Sequence, residues 1–136
     1  MDLLTAPDED ILARTICGEA RNQGDEGMHA VACVILNRVA RPGWWGNDIK
    51  TVCLHPGQFS CWNANDPNRA IIENLSEDYP IFVDALSIAR KVISGELPDI
   101  TKGACNYQVI GTDAPWSRGH TPCVTIKSHE FFNDIP

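Results

Sequence analysis

Glu19 is the residue whose type and setting first point to chemistry. It stands in I-C-G-E-A-R, Ile16 to Arg21, between a glycine and an alanine and near the expected end of an apolar-faced helix. A carboxylate in a helix's last turn meets the negative pole of the helix dipole, which disfavours the anion by roughly 0.3–1 kcal/mol. That is at most about half a pKa unit upward. Burial against apolar neighbours would add to it, and a carboxyl kept protonated near neutrality can give its proton to a leaving oxygen. Glu19 is therefore a candidate general acid. The plainer alternative is a surface glutamate paired with Arg14 or Arg21, since most helical glutamates are solvated. A metal reading competes through His29 and Cys33, spaced i, i+4, with His120 and His129 further on. No H-E-x-x-H and no C-x-x-C pair is present, so neither a zinc ribbon nor a catalytic zinc centre is expected. We expect no metal and no cofactor.

The elements that must position Glu19 follow from periodicity. Thr5-Ala6-Pro7-Asp8 reads as a helix start, with Thr5 as N-cap, and Ile11, Leu12, Ile16 and Ala20 continue it as one apolar stripe to a stop at Gly24. Asp25 can cap a second helix, in which Met28, Val31, Ala32, Ile35, Leu36 and Val39 keep helical spacing. From Arg41 to Asn65 the pattern dissolves into Gly, Pro, Asn, Asp and aromatic residues, with a short helical turn expected at Ile49 to Leu54. So long an irregular stretch in a compact domain is usually functional or mobile. Asp66-Pro67 opens a helix to about Leu75, and Asp78-Tyr79-Pro80 opens another that Gly95 ends. Ala104 to Ile110 and Pro122 to Lys127 are β-type runs around a turn-rich loop, Gly111 to Gly119, and predict a terminal hairpin. The expected class is α+β, mainly helical, as one domain over residues 1–136.

Composition bounds the partners. The chain has 136 residues, 43% hydrophobic and 21% charged, with a formal net charge of -7. That charge argues against nucleic acid, whose binding depends on basic patches. No apolar run approaches membrane-spanning length, and acids near the N-terminus stand where a secretory signal would carry Lys or Arg. We read no membrane insertion, no signal peptide and a monomer. The six cysteines, Cys17, Cys33, Cys53, Cys61, Cys105 and Cys123, are expected as free thiols in a cytoplasm, although Cys53 with Cys61, or Cys105 with Cys123, could come close enough to bond.

Five blocks taken in order resemble the SleB-like cell wall hydrolases, the family of spore cortex-lytic enzymes and similar bacteriophage lysins. They are A-R-T-I-C-G-E-A-R at Ala13 to Arg21, E-G-M-H-A-V-A-C-V-I-L-N-R-V at Glu26 to Val39, G-Q-F-S-C-W at Gly57 to Trp62, G-A-C-N-Y at Gly103 to Tyr107 and I-K-S-H-E-F-F at Ile126 to Phe132. The resemblance implies a lysozyme-like, lytic-transglycosylase-like fold that cuts the β-1,4 bond between N-acetylmuramic acid and N-acetylglucosamine in peptidoglycan, with Glu19 as catalytic acid. The chain departs from the family pattern at Cys17, where an aromatic is expected, and at Lys127, where glycine is commoner.

Glycosidases ordinarily use two carboxylates, about 5 Å apart for retention or about 6.5–9.5 Å for inversion. Asp25, Glu26 and Asp66 are the other acids weighed, each more simply a helix cap or first-turn charge. With one acid, the substrate's N-acetyl group would have to assist, and either water or the muramic C6 hydroxyl would complete the reaction. Gln58, Phe59 and Trp62, with amide and aromatic groups suited to sugars, and Tyr107 and His129 on an opposite wall, are the expected substrate contacts. Trp44 and Trp45 are core or rim. Peptidoglycan glycan strands are the expected partner, and a phage endolysin, held in the host cytoplasm until lysis, is the expected setting, or else a domain cut from a secreted protein. The alternatives are a zinc-dependent wall amidase or peptidase, and a non-enzymatic interaction module of a virion or wall complex.

Overall fold

The computed structural model describes residues 2–136. Among these, five α-helices precede a small sheet: α1 (Asp8–Ala20), α2 (Gly24–Ala40), α3 (Ile49–Leu54), α4 (Pro67–Glu73), α5 (Pro80–Ser94), β1 (Asn106–Val109), β2 (Val124–Ile126) and β3 (His129–Phe132). Two short 3₁₀ turns, Arg21–Gln23 and Ser60–Trp62, complete the helical part. The class is α+β and mainly helical.

α1 is the centre of the molecule, packing against α2, α3, α4 and α5. Its sequence shows one apolar stripe, yet it is buried almost all round, because its polar residues find partners inside. Thr15 donates to the Ile11 carbonyl and accepts from the Trp62 indole. Arg14 donates to the Ile72 and Leu75 carbonyls at the end of α4, forms an ion pair with Asp10, and lies 4.5 Å from the centre of the Phe82 ring. A buried guanidinium is tolerated only when satisfied in this way, and it ties three helices together. α2 bridges two clusters: Met28, Val31, Ala32 and Ile35 join the main core, while Ala30 and Val34 pack with Ala104, Ile126 and Phe131 under the sheet.

Several starts and stops differ from their expected positions. Thr5 is not the N-cap of α1; Pro7 holds that position and makes no side-chain cap. α1 ends at Ala20 rather than near Gly24, because the chain tightens into the 3₁₀ turn and Gly24, at φ 72°, redirects it into α2. Gln23, not Asp25, is the N-cap of α2, and Tyr79, not Asp78, that of α5. Asp66 caps α4 as expected by accepting from the Asn68 amide, and α3 occupies its expected span with an Asp48–Thr51 capping box. The predicted hairpin is re-paired. β1 and β2 do not meet; β3 lies between them in the order β1-β3-β2, antiparallel to both. The short run His129 to Phe132 was legible only as part of a family-like block, and it takes the centre of the sheet because Phe131 and Phe132 are its most deeply buried aromatics. All six cysteines are free thiols.

Candidate active site

The C-terminal end of α1, the loop from Arg41 to α3, the segment before the Ser60–Trp62 turn, and β1 enclose a cleft of ≈ 440 Å³. Glu19 lines it together with Arg38, Trp44, Trp45, Gln58, Phe59, Asn106, Tyr107 and Trp116. Among the described residues lining this cleft, Glu19 is the sole acidic side chain.

Glu19 reaches this place because Gly18 allows it. A Cβ on Gly18 would lie 2.6 Å from both Cβ and Sγ of Cys61, a separation no side chain accepts, so only glycine lets the Ser60–Trp62 turn close onto α1. Cys61 thereby lies beside the carboxyl. The other neighbour comes from the sheet: Tyr107 Oη donates to Glu19 Oε1 at 2.9 Å. Neither Arg14 nor Arg21 pairs with Glu19; Arg14 serves the α4 carbonyls, and Arg21 donates to the Cys17 carbonyl and to Asn68 Oδ1. The carboxyl is half-buried, and burial raises its pKa above the ordinary carboxylate value. Hydrogen bonds from Tyr107 and Cys61 favour the anion and pull it partly back, while the Asp66 carboxylate pushes upward. Burial and the neighbouring carboxyl drive the Tyr107 phenol well above its usual range, so Tyr107 remains a hydrogen-bond donor at every ordinary pH.

Opposite the acid stands Arg38, from the end of α2. Its Nε donates to the Cys105 carbonyl at 2.8 Å, its Nη1 to Gln58 Oε1 at 3.4 Å, and its guanidinium carbon lies 5.3 and 5.4 Å from the centres of the Trp45 and Phe59 rings. The cation is held by these hydrogen bonds and by contact with two aromatic rings. Trp45 in turn donates to the Arg38 and Arg41 carbonyls. Trp44 and Trp116 are the exposed aromatics of the cleft, at 62% and 37% exposure; Trp116 is braced edge-on against Phe132.

The expected contacts separate into two groups. Gln58, Phe59 and Tyr107 line the cleft with Glu19. Trp62 and His129 do not. Trp62 is buried in the core with its Nε1 donating to Thr15, and His129 lies behind Tyr107, ring centres 5.1 Å apart, buried and held toward its neutral form. Residues 57–62 form a turn followed by a single 3₁₀ turn, too short for any periodicity to tell which of their aromatics turns inward. Trp44 and Trp45, expected as core or rim, line the cleft, and Arg38, Asn106 and Trp116 join them without having been named as contacts. The L-N-R block did mark Arg38, an arginine in the last turn of an apolar helix. The other acids lie elsewhere: Asp66 caps α4, and Asp25 and Glu26 occupy the first turn of α2. The histidines of the metal reading are dispersed, His29 on the Pro98 carbonyl and His120 beside Asp134. Among the described residues, no three His, Cys, Asp or Glu side chains gather as a metal site.

A family model described as Cell Wall Hydrolase matches residues 22–132, most of the chain and most of the residues that line the cleft. The chain belongs to the Cell Wall Hydrolase family. As a cell wall hydrolase it acts on peptidoglycan. The matched span begins at Asn22, so Glu19 lies outside it, while its hydrogen-bond donor Tyr107 lies within. No curated protein and no solved structure matches this cell wall hydrolase. No helix among its described residues is long and apolar enough to cross a membrane.

Proposed function

We propose that this cell wall hydrolase is a glycosidase that cleaves the β-1,4 bond between N-acetylmuramic acid and N-acetylglucosamine, with Glu19 as general acid, on a lysozyme-like single domain. One observation carries the reading: a lone carboxyl, raised in pKa by burial and held by Tyr107, in a cleft walled by indoles. A glycan offers such a site flat C–H faces for Trp44 and Trp116 and hydroxyls for Gln58 and Asn106.

In the reaction the protonated Glu19 gives its proton to the glycosidic oxygen as the C–O bond breaks, leaving an oxocarbenium-like centre. The carboxylate so formed keeps the Tyr107 hydrogen bond and faces the positive charge of Arg38, both of which stabilise it. With no second acid in the cleft, the substrate's own N-acetyl oxygen stabilises the cationic carbon, as in substrate-assisted glycosidases. Glu19 then accepts a proton either from water, giving a free reducing end, or from the muramic C6 hydroxyl, giving a 1,6-anhydro sugar. A phage endolysin that waits in the host cytoplasm for access to the wall is the setting that best suits this activity.

The test combines two measurements on purified sacculi. Mass spectrometry of released fragments is expected to show muramic acid termini, reducing or anhydro; fragments cut only at amide bonds would overturn the reading. Glu19→Gln keeps the shape and loses the proton, and a single general acid is typically worth about 10²–10⁴-fold. A folded variant retaining more than about a tenth of wild-type turnover, under about 1.4 kcal/mol of barrier, would remove Glu19 from the role.

A further inference from the structure

Glu19 also lines a second, smaller cavity of ≈ 210 Å³. Its other walls are Gly18, Arg21, Asn22 and Asn68. The two cavities therefore meet at the proposed acid, and a polymer cut at Glu19 must continue past it on both sides. Both hold a guanidinium and two carboxamides, but only the first has aromatic walls, and its Arg38 is already packed against them.

Arg21 is oriented rather than spent. Two of its N–H groups are engaged, by the Cys17 carbonyl at 3.0 Å and by Asn68 Oδ1 at 2.7 Å, and a guanidinium has five. Both acceptors are neutral, and among the described residues no carboxylate lies within ion-pair distance of it. In a chain of net charge -7, a cation fixed beside the acid and left without an anion is set to receive one from outside. The glycan backbone itself carries no anion, but each muramic acid bears carboxylates, on its peptide stem or, where the peptide is missing, on the bare lactyl group.

We infer that the cavity formed by Arg21, Asn22 and Asn68 binds a carboxylate borne by the muramic acid residue and so selects which glycosidic bond meets Glu19. This rests on the glycosidase reading above. A bidentate guanidinium–carboxylate contact fixes orientation as well as affinity, and it would place the muramic acid on one defined side of the acid.

The experiment compares three glycan substrates: peptide-bearing strands, strands stripped of peptide by an amidase so that the lactyl carboxylate is exposed, and strands whose carboxylates are converted to neutral amides with ammonia and a carbodiimide. Wild type is expected to cleave at least one carboxylate-bearing form with kcat/KM about tenfold above the amidated form, the size of one charge-assisted hydrogen bond. The arm that keeps the advantage identifies which carboxylate is read. Arg21→Gln should erase the distinction. Because Arg21 also caps α1, Asn68→Asp is the independent variant: it is isosteric, places an acid in the first turn of α4 where the helix dipole favours it, and supplies the guanidinium with an internal anion. It should erase the same distinction with an unchanged or slightly higher melting temperature. Equal losses on all three substrates, or an unchanged preference in both variants, would overturn the inference. A wild type that cleaves no glycan in any arm would instead overturn the glycosidase reading.

Discussion

Burial raises the Glu19 pKa while Tyr107 and Cys61 hold it down, so its proton affinity is a balance that a single substitution can tilt. Tyr107→Phe removes the donor to Oε1 and with it a contact that favours the anion. The alkaline limb of the pH–rate profile should therefore move to higher pH, while maximal turnover falls because the carboxyl loses its orientation. A limb that stays in place or moves to lower pH would show that Tyr107 does not govern the proton. Stability follows the same balance. A carboxyl whose folded pKa exceeds its unfolded value contributes stability that is fully present below the unfolded pKa and is lost as pH rises through the folded one. Above that range the fold holds a half-buried anion, so Glu19→Gln should melt higher than wild type near neutrality and lose that advantage toward acid pH. Melting curves at a series of pH values measure it, and a difference independent of pH would contradict the assigned direction.

At the level of elements, two lysines hold left-handed backbone, Lys102 at φ 58° and Lys127 in the β2–β3 turn. Lys127 adopts φ 52°, in the left-handed region, where a side chain costs about 1–2 kcal/mol and glycine costs nothing sterically. After the larger unfolded-state entropy of glycine is subtracted, Lys127→Gly should stabilise by about 0.5–1 kcal/mol, visible as a higher urea midpoint with unchanged slope; a lower midpoint would contradict it. Gly18 is the opposite case. Gly18→Ala must displace Cys61 and the turn it belongs to, so turnover should fall even where the fold survives, measured as sacculus clearing against circular dichroism. These elements also show what the sequence could reveal. Helices with strong periodicity or a proline start, α2, α4 and α5, were legible because their local preferences agree with their packing. The all-round burial of α1 was not, since it depends on carbonyls of α4 and on the indole of Trp62, distant partners that satisfy Arg14 and Thr15. The strand order was not legible either: three- and four-residue strands carry too little pattern to state which neighbour they choose. At the site, Glu19 was marked by its block, whereas the separation of Phe59 from Trp62 depends on a short segment whose facing only the folded chain decides.

Across the described residues the histidines and cysteines are scattered, no three of them gathering with acids as a metal site, and the proposed chemistry uses none of them as a metal ligand. EDTA should leave sacculus clearing intact; complete loss restored by zinc would favour a metal-dependent amidase instead. The placement of α1 has a consequence for endurance. Many enzymes keep their reacting groups on loops that loosen before the body melts, so activity fades while the protein is still folded. Here the acid sits on the helix around which four others pack, and the groups that hold it come from the sheet and from a turn pressed onto that same helix. An element packed on so many sides belongs with those that open last. Loss of wall-degrading activity on heating should therefore coincide with global unfolding, and recover with it on cooling, making the residual activity of a heated sample a direct count of its native molecules.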